Sequence, residues 1–200
     1  MCIETRDRAQ TIRAALLSLT HQTFRDFEVL VVDNLSDDGT AAAIRDFFAS
    51  PEFQKASFPH TFSVNQSRLP DLENWNTPLK SARGRYIAIL EGDDEFRPNH
   101  LAKAHAILSA DPQIGIYATG RQDAERPVKG RITAREYFRM TLGMWNVSAP
   151  SETVFVRQHL GKPFLFDASS HVYCPETSLY LDIASCGYDA YHDAGREVVR

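Results

Sequence analysis

With 200 residues, 43% of them hydrophobic, the chain is long enough to bury one good core and too short to promise two independent domains. A net charge of -4, with Lys and Arg spread along the chain, supplies no broad basic field and argues against a nucleic-acid partner. No apolar run approaches the ~20 residues of a membrane-spanning helix, Met1 to Arg8 lacks a secretory pattern, and Cys2, Cys174 and Cys186 form no CxxC pair, which together describe a soluble chain suited to a reducing cytoplasm.

In chain order, Ile12, Ala15, Leu16 and Leu19 recur at helical spacing, predicting a helix from Arg8 to Thr20 that the polar run His21 to Arg25 stops. Glu28-Val29-Leu30-Val31-Val32-Asp33 is an unbroken apolar run ending in an acid, the pattern of a parallel strand covered on both faces. It opens into the polar turn Asn34 to Thr40 and an Ala-rich helix through about Phe48. A weaker strand is expected at Thr61 to Val64 and a helix from about Asn74 to Ala82, stopped by Gly84. Tyr86 to Leu90 reads as a second buried strand, ending in Glu91-Gly92-Asp93-Asp94-Glu95; Pro98 then starts a helix that Asp111-Pro112 stops, and Ile114 to Thr119 is one more strand. Later, Thr133 and Glu136 suggest a capping box for a helix to Thr141, Val154 to Val156 a strand, and Thr177 to Ser185 a last helix.

Strands alternating with helices over the first 120 residues point to a doubly wound, mostly parallel sheet, whose ligands bind at the carboxyl ends of strands. Both acidic turns lie at such ends. The carboxylates of Glu91 to Asp94 repel one another, and a hard divalent cation would relieve that while bridging to phosphate oxygens. The competing interpretation, acids that cap the next helix and face water, explains the same residues. Asp33 and Asn34 end the other strand, where an acid followed by an amide suits a ribose or a base edge. No Gly-rich turn follows the first strand, which reads Glu4-Thr5-Arg6-Asp7-Arg8, so dinucleotide and methyl-donor folds are disfavoured.

Four blocks in order resemble the family 2 glycosyltransferases of the GT-A fold. They are Cys2 to Arg8; Ser18 to Phe24 through Phe27 to Asn34 and Ser36 to Thr40; Glu73 to Asn76 with Ala82 to Ile87; and Leu90 to Asp94 with Pro98 and Leu101. Together they cover most of residues 2 to 110. The resemblance implies a mixed, mostly parallel α/β sheet in a single domain, with residues 1–119 as the nucleotide-sugar half and 120–200 as the acceptor side. It implies that Thr5, Arg6 and Asn34 contact the nucleotide, that Asp93 lies beside the ribose and that Asp94 holds manganese or magnesium, with Asp33 supporting its turn. Glu91 stands where the family often has another Asp. Pro175-Glu176-Thr177-Ser178-Leu179 fits the frame of the family's late Glu-Asp pair and puts Glu176, longer than the usual Asp, in the role of general base for an inverting transfer. For Glu176 the alternative is a simple preference of acids for a helix amino end.

The resemblance further implies a nucleoside-diphosphate-sugar donor, a saccharide or lipid-linked acceptor, polysaccharide biosynthesis, and a cytoplasmic protein without a transmembrane segment that can touch a membrane peripherally. The seven histidines show no ligand spacing; His171 and His192 are weaker candidates for phosphate or acceptor contact. Trp75 is expected to pack its helix on the sheet and Trp145 to be the better acceptor-site residue. The chain begins inside what should be the first strand and stops at Val198-Val199-Arg200, where family members commonly continue, which keeps open a non-catalytic or truncated nucleotide-sugar-binding module acting as a partner subunit.

Overall fold

The computed structural model describes residues 1–120, 129–142, 149–157 and 175–199, apart from the side chains of Pro175, Glu176 and Ser178. His171 and Trp145, both named as candidates above, lie outside the described residues.

The first part of the chain runs β1 (Cys2–Thr5), α1 (Ile12–Thr20), β2 (Val29–Asp33), α2 (Thr40–Ala49), α3 (Pro51–Ala56), β3 (His60–Val64), α4 (Asp71–Ser81) and β4 (Tyr86–Ala88). It continues through β5 (Glu95–Phe96), α5 (His100–Ala110), β6 (Ile114–Thr119), β7 (Gly130–Ile132) and α6 (Ala134–Leu142). A 3-10 turn at Pro150–Glu152 leads into β8 (Thr153–Val156), followed by α7 (Pro175–Ser185), β9 (Asp189–Asp193) and β10 (Val198–Val199).

Strands β3, β2 and β1 are parallel neighbours. A parallel bridge between Cys2 and Ile89, with Leu90 N–H donating to Cys2 O at 3.0 Å, joins β1 to the end of β4. The sheet then runs β4-β8-β6-β9-β7, with β8 antiparallel to both neighbours, β6 parallel to β9, and β7 antiparallel at the edge. This is the expected doubly wound, mixed α/β sheet. Its order turns outward in opposite directions from β1 and β4, so the crevice beyond the carboxyl ends of those two strands is the switch point at which such sheets take ligands.

Alternation along the strands explains why their sequences are apolar without interruption. In β2, Val29 and Val31 face a core with Ile12, Leu16, Ile44, Phe47 and Leu108, while Leu30 between them faces the opposite core with Leu79, Tyr137 and Ile183. Trp75 packs against this second core, as expected of it.

Boundaries shift where local polar chemistry outweighs the apolar pattern. The helix expected from Asn74 starts at Asp71, with Asp71 and Glu73 in its first turn where acids complement the helix dipole, and it tolerates Pro78 inside it. The helix expected from Pro98 starts at His100: Pro98 O accepts from Thr23 N–H at 2.8 Å, and the Gln22 side chain takes Leu101 N–H at 3.2 Å. Of the capping box, the bond from Glu136 N–H to Thr133 Oγ1 is present at 3.3 Å. Helix α3, begun by Pro51 with Ser50 as its cap, and the short strands β5, β7, β9 and β10 had no sequence signal strong enough to predict them. Among the described residues, no helix is long and apolar enough to cross a membrane.

Candidate active site

Three turns meet at the crevice: the one after β1, the one after β2, and the one after β4. The first two are laced together by side chains. Asp7 N–H donates to Ser36 Oγ at 2.9 Å, Arg8 N–H to Thr40 Oγ1 at 2.8 Å, Ala9 N–H to Asp38 Oδ2 at 2.9 Å, and Asp37 N–H returns a bond to Asp7 Oδ1 at 3.1 Å. Ser36 and Thr40 thus serve the neighbouring turn. Asp38 is held below the usual carboxylate range by the hydrogen bonds of Thr40 and Ala9. Asp33 is fully buried and accepts from both the amide and the hydroxyl of Ser36, the turn-supporting part assigned to it from sequence. Asp7 and Leu35 sit at φ 52° and 56°, left-handed values that cost on the order of 1 kcal/mol each and persist because the lacing overdetermines them.

The β4 turn docks onto the first turn through Gly92. A Cβ there would lie 2.7 Å from Thr5 Oγ1 and 3.3 Å from Arg8 Cγ, so only glycine permits the approach. Thr11 Oγ1 donates to Gly92 O at 2.8 Å, and Asp94 N–H closes the turn onto Glu91 O at 3.1 Å. The contact buries Thr5, whose hydroxyl has no hydrogen-bond partner among the described residues.

Asp93 and Asp94 then diverge. Asp93 is half exposed and pairs with Arg8, Nε to Oδ2 3.3 Å, a solvent-screened contact of at most ~1 kcal/mol that a charged ligand can displace. Asp94 is buried, 4% exposed. Glu91 is anchored sideways, its N–H donating to Ser151 Oγ at 3.0 Å from the turn before β8. Among the described residues, no three His, Cys, Asp or Glu side chains gather into a metal cage. The donor set is hard carboxylate oxygen, which fits magnesium or manganese held by one or two protein groups and completed by phosphate oxygens and water. Arg6, paired with Asp7 at 3.4 Å, is exposed at the rim.

Asn34 is tied into the neighbouring loop. Its amide is gripped by the backbone of Leu69: Leu69 N–H donates to Oδ1 and Nδ2 donates to Leu69 O, each at 2.9 Å, and Asn65 Nδ2 fills the remaining site on Oδ1 at 2.9 Å. Both acceptor positions of Oδ1 are therefore taken. A flipped amide would set N–H against N–H at Leu69, so the orientation is fixed and only one N–H of Nδ2 is left to offer a ligand.

Glu4 was not singled out from sequence. It lies at the end of β1, half-buried, accepting from Asn74 Nδ2 at 2.6 Å. Burial, reinforced by the negative charges of Glu91 and Asp71, raises its pKa to about 7 against the pull of the Asn74 bond and of Arg8. Among the histidines, His100 is fully buried against Phe96, and burial lowers its pKa to about 3, so it is a neutral core residue. His192 is buried within the sheet on β9. Glu176 is the second residue of α7, and its side chain lies outside the described residues.

A family model described as Glycosyl transferase family 2 matches residues 1–161. An uncharacterized glycosyltransferase of Haemophilus influenzae is 28% identical over 110 residues, 55% of this chain and 34% of that protein. The Escherichia coli UDP-Glc:alpha-D-GlcNAc-diphosphoundecaprenol beta-1,3-glucosyltransferase WfgD is 26% identical over 156 residues, 78% of this chain and 58% of that protein. Among solved structures, S. aureus TarS 1-349 has a TM-score of 0.77 over 98% of this chain and 58% of its own, at 16% identity. The mannosyltransferase PcManGT from Pyrobaculum calidifontis, in complex with GDP-Man and Mn2+, has a TM-score of 0.70 over 96% of this chain and 53% of its own, at 24% identity. At such identities the structural likeness establishes the fold, and the chain spans only 34% to 58% of the length of these four relatives.

Proposed function

The chain belongs to glycosyl transferase family 2, and on that basis we propose that it transfers a sugar from a nucleoside diphosphate donor to an acceptor hydroxyl, inverting the anomeric carbon and using manganese or magnesium. One observation carries the proposal: the Thr5–Arg8 turn and the Gly92–Asp94 turn pack together at the switch point between β1 and β4, with the half-exposed Asp93 beside Arg8 and Asp94 buried next to it.

In this site Thr5 and Arg6 border the nucleoside, Asn34 holds the base-side loop and offers its one remaining N–H, Asp93 meets the ribose and Asp94 would hold the cation. A cation held there would supply positive charge to offset that of the diphosphate. Arg8, released from Asp93, is placed to meet phosphate oxygen. Glu176, at the amino end of α7, takes the proton of the acceptor hydroxyl as that oxygen bonds to the anomeric carbon. The bond from that carbon to phosphate oxygen breaks, and its electron pair leaves with the nucleoside diphosphate. Solved relatives named as complexes with GDP-Man and Mn2+, and with UDP-GlcNAc, support the donor class and the metal. The diphosphoundecaprenol in the name of the Escherichia coli relative supports a lipid-linked saccharide acceptor, reached by a cytoplasmic protein touching the membrane surface.

The test is Asp94→Ala. Manganese-dependent binding of UDP or GDP should disappear and sugar transfer should fall by at least ~100-fold, the scale of a lost metal contribution of several kcal/mol. Turnover equal to wild type would exclude Asp94 as the metal residue. Nucleotide binding by the wild type with neither transfer nor donor hydrolysis would instead identify a binding module.

A further inference from the structure

A polar relay runs under the base side of the cleft. Glu4 accepts from Asn74 Nδ2 at 2.6 Å, Asn74 Oδ1 accepts from Asn65 Nδ2 at 2.9 Å, and the same Nδ2 reaches Asn34 Oδ1 at 2.9 Å. The relay ties the end of β1 to the first turn of α4, to the residue after β3 and to the end of β2. Asn74 and Asn34 are each 1% exposed, so their amides exchange these partners with nothing in solvent. The Leu69 clamp on Asn34 then fixes the loop from Asn65 to Leu69.

We propose that Glu4 is a positioning residue of the donor site, which through Asn74 and Asn65 sets the Asn34 amide and the loop 65–69 that walls the base side of the cleft. This rests on the nucleotide-sugar function proposed above. It also gives Glu4 a second effect. The groups facing it are Arg8 after β1, Asp71 on α4, and Glu91 after β4, so acids outnumber the one cation. Its burial among them raises its pKa to about 7. Near neutrality Glu4 therefore gains or loses one negative charge in a cleft that must admit a diphosphate, and the neutral form is the one that favours the donor.

The experiment measures the dissociation constants of UDP and GDP in saturating manganese from pH 6 to 8, for wild type, Glu4→Gln and Glu4→Leu. Gln keeps the acceptor for Asn74 and cannot ionise; Leu removes the acceptor. For wild type the constant should rise about tenfold between pH 6 and pH 8, as expected when a group titrating midway must be protonated for binding. Glu4→Gln should bind tightly with a flat profile, and Glu4→Leu should bind weakly at every pH, with kcat at saturating donor much less affected than KM. Identical pH profiles in wild type and Glu4→Gln, with nucleotide bound in both, would overturn the role of Glu4 alone. Absence of nucleotide binding by wild type at every pH would overturn the proposed function, and this role with it.

Discussion

The turns after β1 and β2 are tied together by side chains 29 to 32 positions apart, and nearly every tie is a short polar side chain meeting a backbone amide. The β6-β9-β7 side of the sheet and the helix α5 before it are secured by partners 58 to 94 positions apart: Arg131 with Asp189, Tyr117 with Asp193, Lys103 with Glu197. The first arrangement fixes the backbone of a cleft within one βαβ unit. The second ties elements across the fold, through the buried hydroxyl of Tyr117 and through two cations that solvent reaches, Lys103 being 42% exposed and Arg131 47%. The wall proposed for the donor is thus fixed by local chemistry, and the ion pairs of the far side are individually weak.

The comparison can be broken at its chemical extreme first. Should the far side contribute the base, Glu176→Gln ought to lower turnover by ~10²–10⁴-fold with donor affinity unchanged, measured by transfer kinetics beside nucleotide titration. A fully active variant would leave the donor wall as the whole of the site assigned so far.

Next in size is the docking of the β4 turn. Gly92→Val puts a branched side chain where a Cβ alone already lies 2.7 Å from Thr5 Oγ1, and should cost ~1–3 kcal/mol in urea unfolding with weakened nucleotide binding. Retained stability and affinity would mean the turn can move away from Thr5, contradicting the rigidity claimed for this wall.

Glu4 gives an effect of similar or smaller size with a defined sign. Burial raises its folded pKa to about 7 from the ordinary 4.5, so between those values the folded state keeps a proton that the unfolded chain releases. Stability from this group therefore falls as pH rises through that window, and by pH 8 the ionised carboxylate is a net liability. Glu4→Gln should be more stable than wild type by ~1–3 kcal/mol at pH 8 and nearly equal to it at pH 5, as read from urea midpoints. A gain of the same size at both pH values would point to packing in place of charge.

Smallest is Lys103→Met, which removes contacts to Glu197 at 2.5 Å and Asp193 at 3.4 Å. With Lys103 42% exposed, the loss should be at most ~1 kcal/mol and shrink in high salt. A loss of several kcal/mol would show that the far side is as firmly fixed as the donor wall.

How much of this was legible in the sequence divides along the same line. Strands β2 and β4 were evident because both faces are covered, which writes an apolar run into the chain. The acidic turns could be placed because they follow those runs directly. Strands β5 and β10, two residues each, exist through pairing across the fold, with Val198 opposite Phe96, and two residues carry no period to detect. At the site, the gap was one of orientation. Asn34 was placed at the correct strand end, but its acceptor is occupied by Asn65 and Leu69, a loop contact that spacing does not encode. Glu4 stands in plain view at the end of β1, yet its significance comes from Asn74, Asp71 and Glu91, brought to it by α4 and β4. The signal that would have found it is an acid at the end of an otherwise buried strand, the same signal that marked Asp33.

The most direct test of the central claim is a calorimetric titration of the chain with UDP and with GDP, each with and without manganese, repeated on Asp94→Ala. The structure and the family membership predict that one nucleotide binds the wild type only with manganese and that Asp94→Ala abolishes that dependence. Binding of neither nucleotide, or manganese-dependent binding unchanged in Asp94→Ala, would contradict a donor site at the β1 and β4 turns.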